Sequence, residues 1–181
     1  MSKLFDLTGK TAVVTGANTG IGQGIALALA QAGARVAGVR RSSMEDTRGR
    51  IEGGGGAFHA ITADLSTIEP AQRIIEDAVA WSGRADMLVN NAGIIRRADP
   101  LAFTEKDWDD VMNVNLKAYF FLSQAFARHV FEKGGGGRSS TSPRSCHSKA
   151  ASGFRLTRRA KAASPASHGF SPTNGPPKAS M

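Results

Sequence analysis

The stretch of this chain best equipped for chemistry is Thr15-Gly16-Ala17-Asn18-Thr19-Gly20-Ile21-Gly22. Glycines at that spacing let the main chain approach a pyrophosphate closely. A helix starting there also offers phosphate oxygens its unpaired N–H groups and the positive end of its dipole. A glycine cluster alone is an ordinary turn. This one follows a short β-branched run, Thr11-Ala12-Val13-Val14-Thr15, and precedes Ile21, Ile25, Leu29 and Ala32 at helical spacing, with a stop at Gly33. Two arginine pairs could serve anionic groups. Arg40 and Arg41 end the next apolar run, where a guanidinium suits a ribose 2′-phosphate and where the acid that would accept hydrogen bonds from a ribose hydroxyl is missing. Arg96 and Arg97 follow Asn90-Asn91-Ala92-Gly93, where either could hold a carboxylate bidentately. Solvated arginines are the plainer alternative for both pairs. No metal site is expected.

These groups need a scaffold, and the chain alternates strands with helices. Arg35–Val39 reads as a second strand, Ala57–Thr62 as a third after the Gly53–Gly56 run, and Met87-Leu88-Val89 as a fourth reached through a helix from about Glu69 to Trp81. Asp107 to about Val130 reads as a long amphipathic helix carrying Val111, Val114, Leu116, Phe120, Phe121 and Phe126, ended by the glycine run Gly134–Gly137. Such alternation implies right-handed crossovers and an α/β fold, a Rossmann-type doubly wound parallel sheet.

Charge divides the chain. All 15 Asp and Glu precede residue 138, with 15 of the 23 Lys and Arg, so the net charge of +8 belongs to residues 138–181. That segment is Ser-rich, holds five of the seven prolines and lacks apolar periodicity, so it is expected to be a disordered basic tail behind a nucleotide-binding part spanning residues 1–137. Its basic residues lack interleaved stacking aromatics, which argues against specific nucleic-acid binding. Cys146, the single cysteine, excludes an intramolecular disulfide and fits a reducing compartment. Without an apolar leader or a stretch of spanning length, the expectation is a cytoplasmic protein with no membrane partner.

The spacing Gly-x-x-x-Gly-x-Gly resembles the short-chain dehydrogenase/reductase family, and four more landmarks agree: Leu7-Thr8-Gly9-Lys10, Asp64-Leu65, Asn90-Asn91-Ala92-Gly93 and Asn115-Leu116. Asn91–Arg97 and Phe103–Asn113 are similar to the family's 2-deoxy-D-gluconate 3-dehydrogenases, NAD-dependent tetramers that interconvert an alcohol and a ketone of a sugar acid. The resemblance covers residues 1 to about 137. It implies that Gly16, Gly20, Ile21 and Gly22 hold the pyrophosphate, with Asn18 and Thr19 at the ribose side. Asp64 would meet the adenine through its side chain and Leu65 through its backbone, a helix N-cap being the alternative for Asp64. Asn91, Ala92 and Gly93 would pass the nicotinamide ribose, while Asn90 stitches neighbouring strands. Asn115 would be the catalytic Asn that bends its helix and holds a relay water. For the cofactor, the resemblance favours NAD, whereas Arg40 and Arg41 leave NADP open. A sugar-acid substrate would suit Arg96 or Arg97.

The family's base is a Tyr activated by a Lys four residues later, with a Ser upstream orienting the carbonyl. This chain has one tyrosine, Tyr119, followed four residues on by Ser123, so the unit is absent and Tyr119 with Phe120 and Phe121 reads as helix packing. Suitable codons for Arg138–Arg144, read one base earlier, give Lys-Ile-Val-Asn-Ile-Ala-Ser, the family's fifth strand and its Ser. The same shift over Gly153–Ser164 gives Val-Pro-Ser-Tyr-Thr-Ala-Ser-Lys-Ser-Gly, with the Tyr at the family's interval from that Ser. A frameshift in the G-rich DNA for Gly134–Gly137 is therefore expected, leaving the C-terminal strands missing, the fourth strand an unpaired edge and Phe120 and Phe126 short of cover. Three readings follow: a catalytically deficient dehydrogenase, a nucleotide- or polyanion-binding protein without catalysis, or a gene-level or sequencing error behind which the cell makes the full enzyme.

Overall fold

The computed structural model describes residues 5–132 and 138–141. Five strands, β1 (Thr11–Thr15), β2 (Arg35–Arg40), β3 (Phe58–Thr62), β4 (Met87–Asn90) and β5 (Arg138–Thr141), form one parallel sheet in the order β3-β2-β1-β4-β5. Residues alternate between the faces, as the period of a strand requires. Ala12, Val14, Val36 and Phe58 pack with Ala26 of α1 (Gly20–Gln31) and Ile51 of α2 (Glu45–Gly53). Val13, Ala37, Val39 and Leu88 pack with Ile74, Ile75 and Ala78 of α3 (Pro70–Ser82) and with Leu122 and Phe126 of a later helix. Both faces being covered, β1 is buried along its whole length.

Local chemistry sets the boundaries. Pro70 opens α3, where its missing N–H costs nothing, and Gly83, at φ 81°, closes it with its N–H on the Val79 carbonyl. Thr104 caps α4 (Glu105–Met112), its Oγ1 accepting the Asp107 N–H at 3.1 Å. The expected long helix is continuous but not uniformly α. A π-turn over Asn113–Lys117 joins α4 to α5 (Ala118–Glu132), with the Ala118 N–H reaching the Asn113 carbonyl. An extra residue in one turn of a helix is a frequent mark of a functional position, and Asn115 sits in it.

Two expectations are corrected. β4 is not an unpaired edge, because Arg138–Thr141 lies parallel to it, with Met87 opposite Arg138 and Asn90 opposite Thr141. A free strand edge is satisfied by any backbone, so this pairing requires no apolar side chains. Phe126 is 3% exposed, fully covered by the core, whereas Phe120 is 61% exposed. The remainder of the expected tail, residues 142–181, lies outside the described residues. Among the described residues no helix is long and apolar enough to cross a membrane.

Candidate functional site

β1 ends at Thr15 and α1 starts at Gly20, and the turn between them depends on glycine in two ways. Gly16 and Gly20 have φ of 68° and 57°, the left-handed region that costs other residues most. Gly22 is required by space instead: a Cβ there would lie 2.1 Å from the Gly16 oxygen and 2.3 Å from Asn91 Nδ2. Thr19, the N-cap of α1, makes no side-chain capping bond, so the first-turn N–H groups face outward without one. Thr19, Gly20 and Ile21 are exposed beside them.

Support comes from elements the sequence did not single out. Thr47, buried on α2, donates to the Ala17 carbonyl at 2.8 Å and accepts from Gln23 Nε2 at 2.9 Å. Across the turn, Thr15 Oγ1 accepts the N–H groups of Asn91 and Ala92, both at 2.9 Å, and Asn91 Nδ2 donates to the Thr15 carbonyl at 3.1 Å. Oδ1 of Asn18 and of Asn91 are buried without a hydrogen-bond partner among the described residues. Buried acceptors of this kind ordinarily find a donor, and ribose hydroxyls are donors. The residues present therefore fit a dinucleotide.

At the other rim, Arg40 is half-buried at the end of β2 and Arg41 is exposed, its Nη1 3.5 Å from Asp64 Oδ2. Asp64 accepts the Ser66 N–H at 2.9 Å, and this bond, with help from Arg41, holds its carboxyl below the usual carboxylate range. The N-cap alternative for Asp64 fails, since α3 begins only at Pro70. Leu65 is buried in the core, leaving its backbone for any contact outward. A shallow cleft of about 280 Å³ opens beside Asp64, lined also by Thr67, Pro70 and Arg73.

Beyond β4 the extended segment Asn90–Ile94 is held by one face of the helix. Asn115 Oδ1 accepts the Ile94 N–H and its Nδ2 donates to the Ile94 carbonyl, each at 2.9 Å. The Tyr119 hydroxyl donates to the Ala92 carbonyl, and Ser123 Oγ accepts from Asn90 Nδ2 at 2.9 Å. Four helical residues advance about 6 Å and two extended ones about 6.6 Å. Asn115, Tyr119 and Ser123 therefore meet Ile94, Ala92 and Asn90 as matched rungs, which turns Asn91 the opposite way, toward the glycine turn. Two expectations change accordingly. Asn90 stitches β4 to α5, and it is Asn91 that reaches the neighbouring strand. Tyr119 is a hydrogen-bonding residue rather than mere packing. Both polar atoms of the Asn115 side chain are taken up by Ile94. Nothing in composition marks these rungs, although the four-residue spacing of Asn, Tyr and Ser in an apolar helix was a usable signal.

Arg96 is tied to α4, 3.5 Å from Asp107 and 3.1 Å from Asp110. Lys106 and Arg96 bonded to Asp110 hold that carboxyl below its ordinary range. Arg97 is exposed and makes no ion pair among the described residues, so of the two it is the available cation. No group of His, Cys, Asp and Glu among the described residues could hold a metal ion.

Comparisons with known proteins agree with this geometry. The profile of the short chain dehydrogenases matches residues 10–139. The chain is 51% identical over 134 residues to a 2-dehydro-3-deoxy-D-gluconate 5-dehydrogenase of Escherichia coli K12, covering 74% of this chain and 53% of that protein. A Bacillus subtilis 168 enzyme of the same name is 46% identical over 136 residues, covering 73% and 52%. A crystal structure from Agrobacterium tumefaciens, assigned as a 2-deoxy-D-gluconate 3-dehydrogenase and carrying bound NADP, is 46% identical with a TM-score of 0.71, covering 77% of this chain and 55% of that one. The chain thus spans about half the length of the relatives it matches. With the profile match over residues 10–139 and the glycine turn, the Asn91 contact and the Asn115 π-turn gathered at one end of the sheet, the chain belongs to the short-chain dehydrogenase family.

Proposed function

We propose that this chain is the nucleotide-binding half of a sugar-acid dehydrogenase of the 2-deoxy-D-gluconate type, which binds NADP but does not itself turn over substrate. The observation carrying this reading is the turn closed by Gly22 against Gly16 and Asn91, with the acceptor Asn18 Oδ1 left unpartnered beside it. The nicotinamide would accept or deliver the hydride of an alcohol–ketone interconversion. The chain's own part is to bind and orient: α1 N–H groups at the pyrophosphate, Asn18 and Thr19 at the ribose, Asp64 and the Leu65 backbone at the adenine, and Asn91, Ala92 and Gly93 beyond the pyrophosphate.

The resemblance by itself favours NAD. Arg40 and Arg41 at the end of β2, where an acid would serve NAD, support NADP, and the Agrobacterium relative carries NADP. Arg97 is the proposed partner of the substrate carboxylate. The lack of turnover rests on the missing Tyr-x-x-x-Lys unit and, behind it, on the proposed frameshift.

Fluorescence titration with NADPH and NADH tests the cofactor. NADPH is expected to bind more tightly, and Arg41→Ala to lose about ten- to a hundredfold of NADPH affinity, the worth of a charged hydrogen bond, with NADH unaffected. Equal affinity for the two in the parent chain would remove NADP from the reading. Sequencing the DNA across codons 130–140 tests the frameshift directly.

A further inference from the structure

We propose that Tyr119 is a positioning residue for the half of the dinucleotide beyond the pyrophosphate, acting through the Ala92 carbonyl. This rests on the nucleotide-binding reading above and goes past it, because Tyr119 lies behind the crevice rather than in it. The sheet order locates that half. From β1 the chain winds outward through β2 and β3, then returns to the other side of β1 with β4. The crevice at this reversal takes a dinucleotide across the carboxyl ends of the strands. With the adenosine side at Arg40, Arg41 and Asp64 and the pyrophosphate at the glycine turn, the remaining half must cross toward the segment after β4, Asn91–Ile94.

Five backbone polar groups of that segment are held by side chains. Thr15 Oγ1 takes the N–H groups of Asn91 and Ala92, and Asn115 takes both polar groups of Ile94. The Ala92 carbonyl is left to Tyr119. The hydroxyl is thus the middle rung between Asn115 and Ser123, and without it the Ala92 carbonyl loses its side-chain donor between the Thr15 bonds at Asn91 and Ala92 and the Asn115 bonds at Ile94. Asn91 stays tied to Thr15 through its N–H and Nδ2, so what loosens is the Ala92–Gly93 link, which the nucleotide-binding reading places beyond the pyrophosphate. The adenosine side lies on β2 and β3, across β1 from the Ala92 carbonyl that Tyr119 holds, and would be untouched.

The test compares two probes on the 181-residue chain: NADPH, which spans the whole crevice, and adenosine 2′,5′-bisphosphate, which stops short of the second ribose. Tyr119→Phe is expected to weaken NADPH about three- to tenfold, the effect of one hydrogen bond, and to leave adenosine 2′,5′-bisphosphate unchanged. Loss of both to the same degree, or of neither, overturns the proposal. So does a parent chain that binds the two probes equally, an outcome under which the nucleotide-binding reading still stands. A parent chain that binds neither overturns both. Should the variant fold poorly, the parent gives a second measurement, because Tyr119 is its single tyrosine. Incorporated 3-fluorotyrosine yields one fluorine resonance, expected to move with NADPH and to stay fixed with adenosine 2′,5′-bisphosphate. Equal movement with both, or none with either, rejects the role.

Discussion

Gly22 and Gly24 stand two residues apart on α1 and differ entirely in what a methyl group would meet. At Gly24 a Cβ has nothing within 4 Å, and at Gly22 it would strike the Gly16 oxygen and Asn91 Nδ2. Those two atoms are backbone of the turn and the head of the amide that ties β4's end to it, so neither can yield without opening the site. Gly22→Ala is therefore expected to abolish nucleotide binding and to lower stability by about 1–3 kcal/mol, the range for overpacking a tight site. Gly24→Ala should keep binding and gain about 0.5–1 kcal/mol from helix propensity. Thermal melts with and without NADPH measure both, and a Gly22→Ala chain that binds like the parent would show that the turn is not the site. An acidic residue at Gly22 would fail for the same reason before its charge met a phosphate, since the first carbon of any side chain is already excluded.

Among the elements, β4 depends on a charge at its threshold. Asp86 Oδ2 accepts the Thr11 N–H at 2.9 Å and Arg84 Nε at 2.7 Å, with Lys10 Nζ 3.7 Å from the other oxygen. Burial by itself would raise this carboxyl, but Arg84, the Thr11 N–H and Lys10 outweigh it and hold it below the ordinary 3.8. A carboxylate favoured by folding stabilises fully above its unfolded value and loses that contribution as pH falls through the lower folded value. Asp86→Asn should thus cost about 1–2 kcal/mol near neutrality, with the gap to the parent closing below about pH 4. Urea melts at two pH values check it, and a gap of constant size would rule the carboxylate out. Strands β1 to β4 were legible because short apolar runs bounded by glycine or polar residues have few other readings, as at Thr11–Thr15 before Gly16. α2 was not, because Glu45–Gly53 is polar nearly throughout and buries only Thr47 and Ile51. The glycine turn could be read from spacing alone, while the rungs from Asn115, Tyr119 and Ser123 join residues more than twenty positions apart and became visible only once α5 lay along Asn90–Ile94. Phe126 and Phe120 look alike in sequence, yet the turn of the helix after the π segment buries one and exposes the other.

At the scale of the whole molecule, a neutral part of residues 1–137 is joined to a stretch holding the entire net charge of +8 and no acid. The sheet accepts Arg138–Thr141 beside β4, while the proposed nucleotide crevice lies at the reversal of strand order between β1 and β4. Binding and turnover then separate. Oxidising a secondary alcohol needs a group to take the hydroxyl proton, and general acid–base catalysis contributes ~10²–10⁴-fold. Asn115 cannot act as a base, its side chain being committed to Ile94, and the Tyr119 hydroxyl is engaged by the Ala92 carbonyl with Ser123, not a lysine, four residues on. The purified 181-residue chain is accordingly expected to bind NADPH yet show no NADP- or NAD-linked oxidation of 2-deoxy-D-gluconate. A frame-restored gene should recover it. Placing a Tyr and a Lys at those intervals within residues 142–181 of the present chain should not, because a catalytic pair works only when rigid elements hold it within a fraction of an ångström. Turnover by the 181-residue chain near the frame-restored rate would mean that a group described above as structural, Tyr119 foremost, is the proton acceptor.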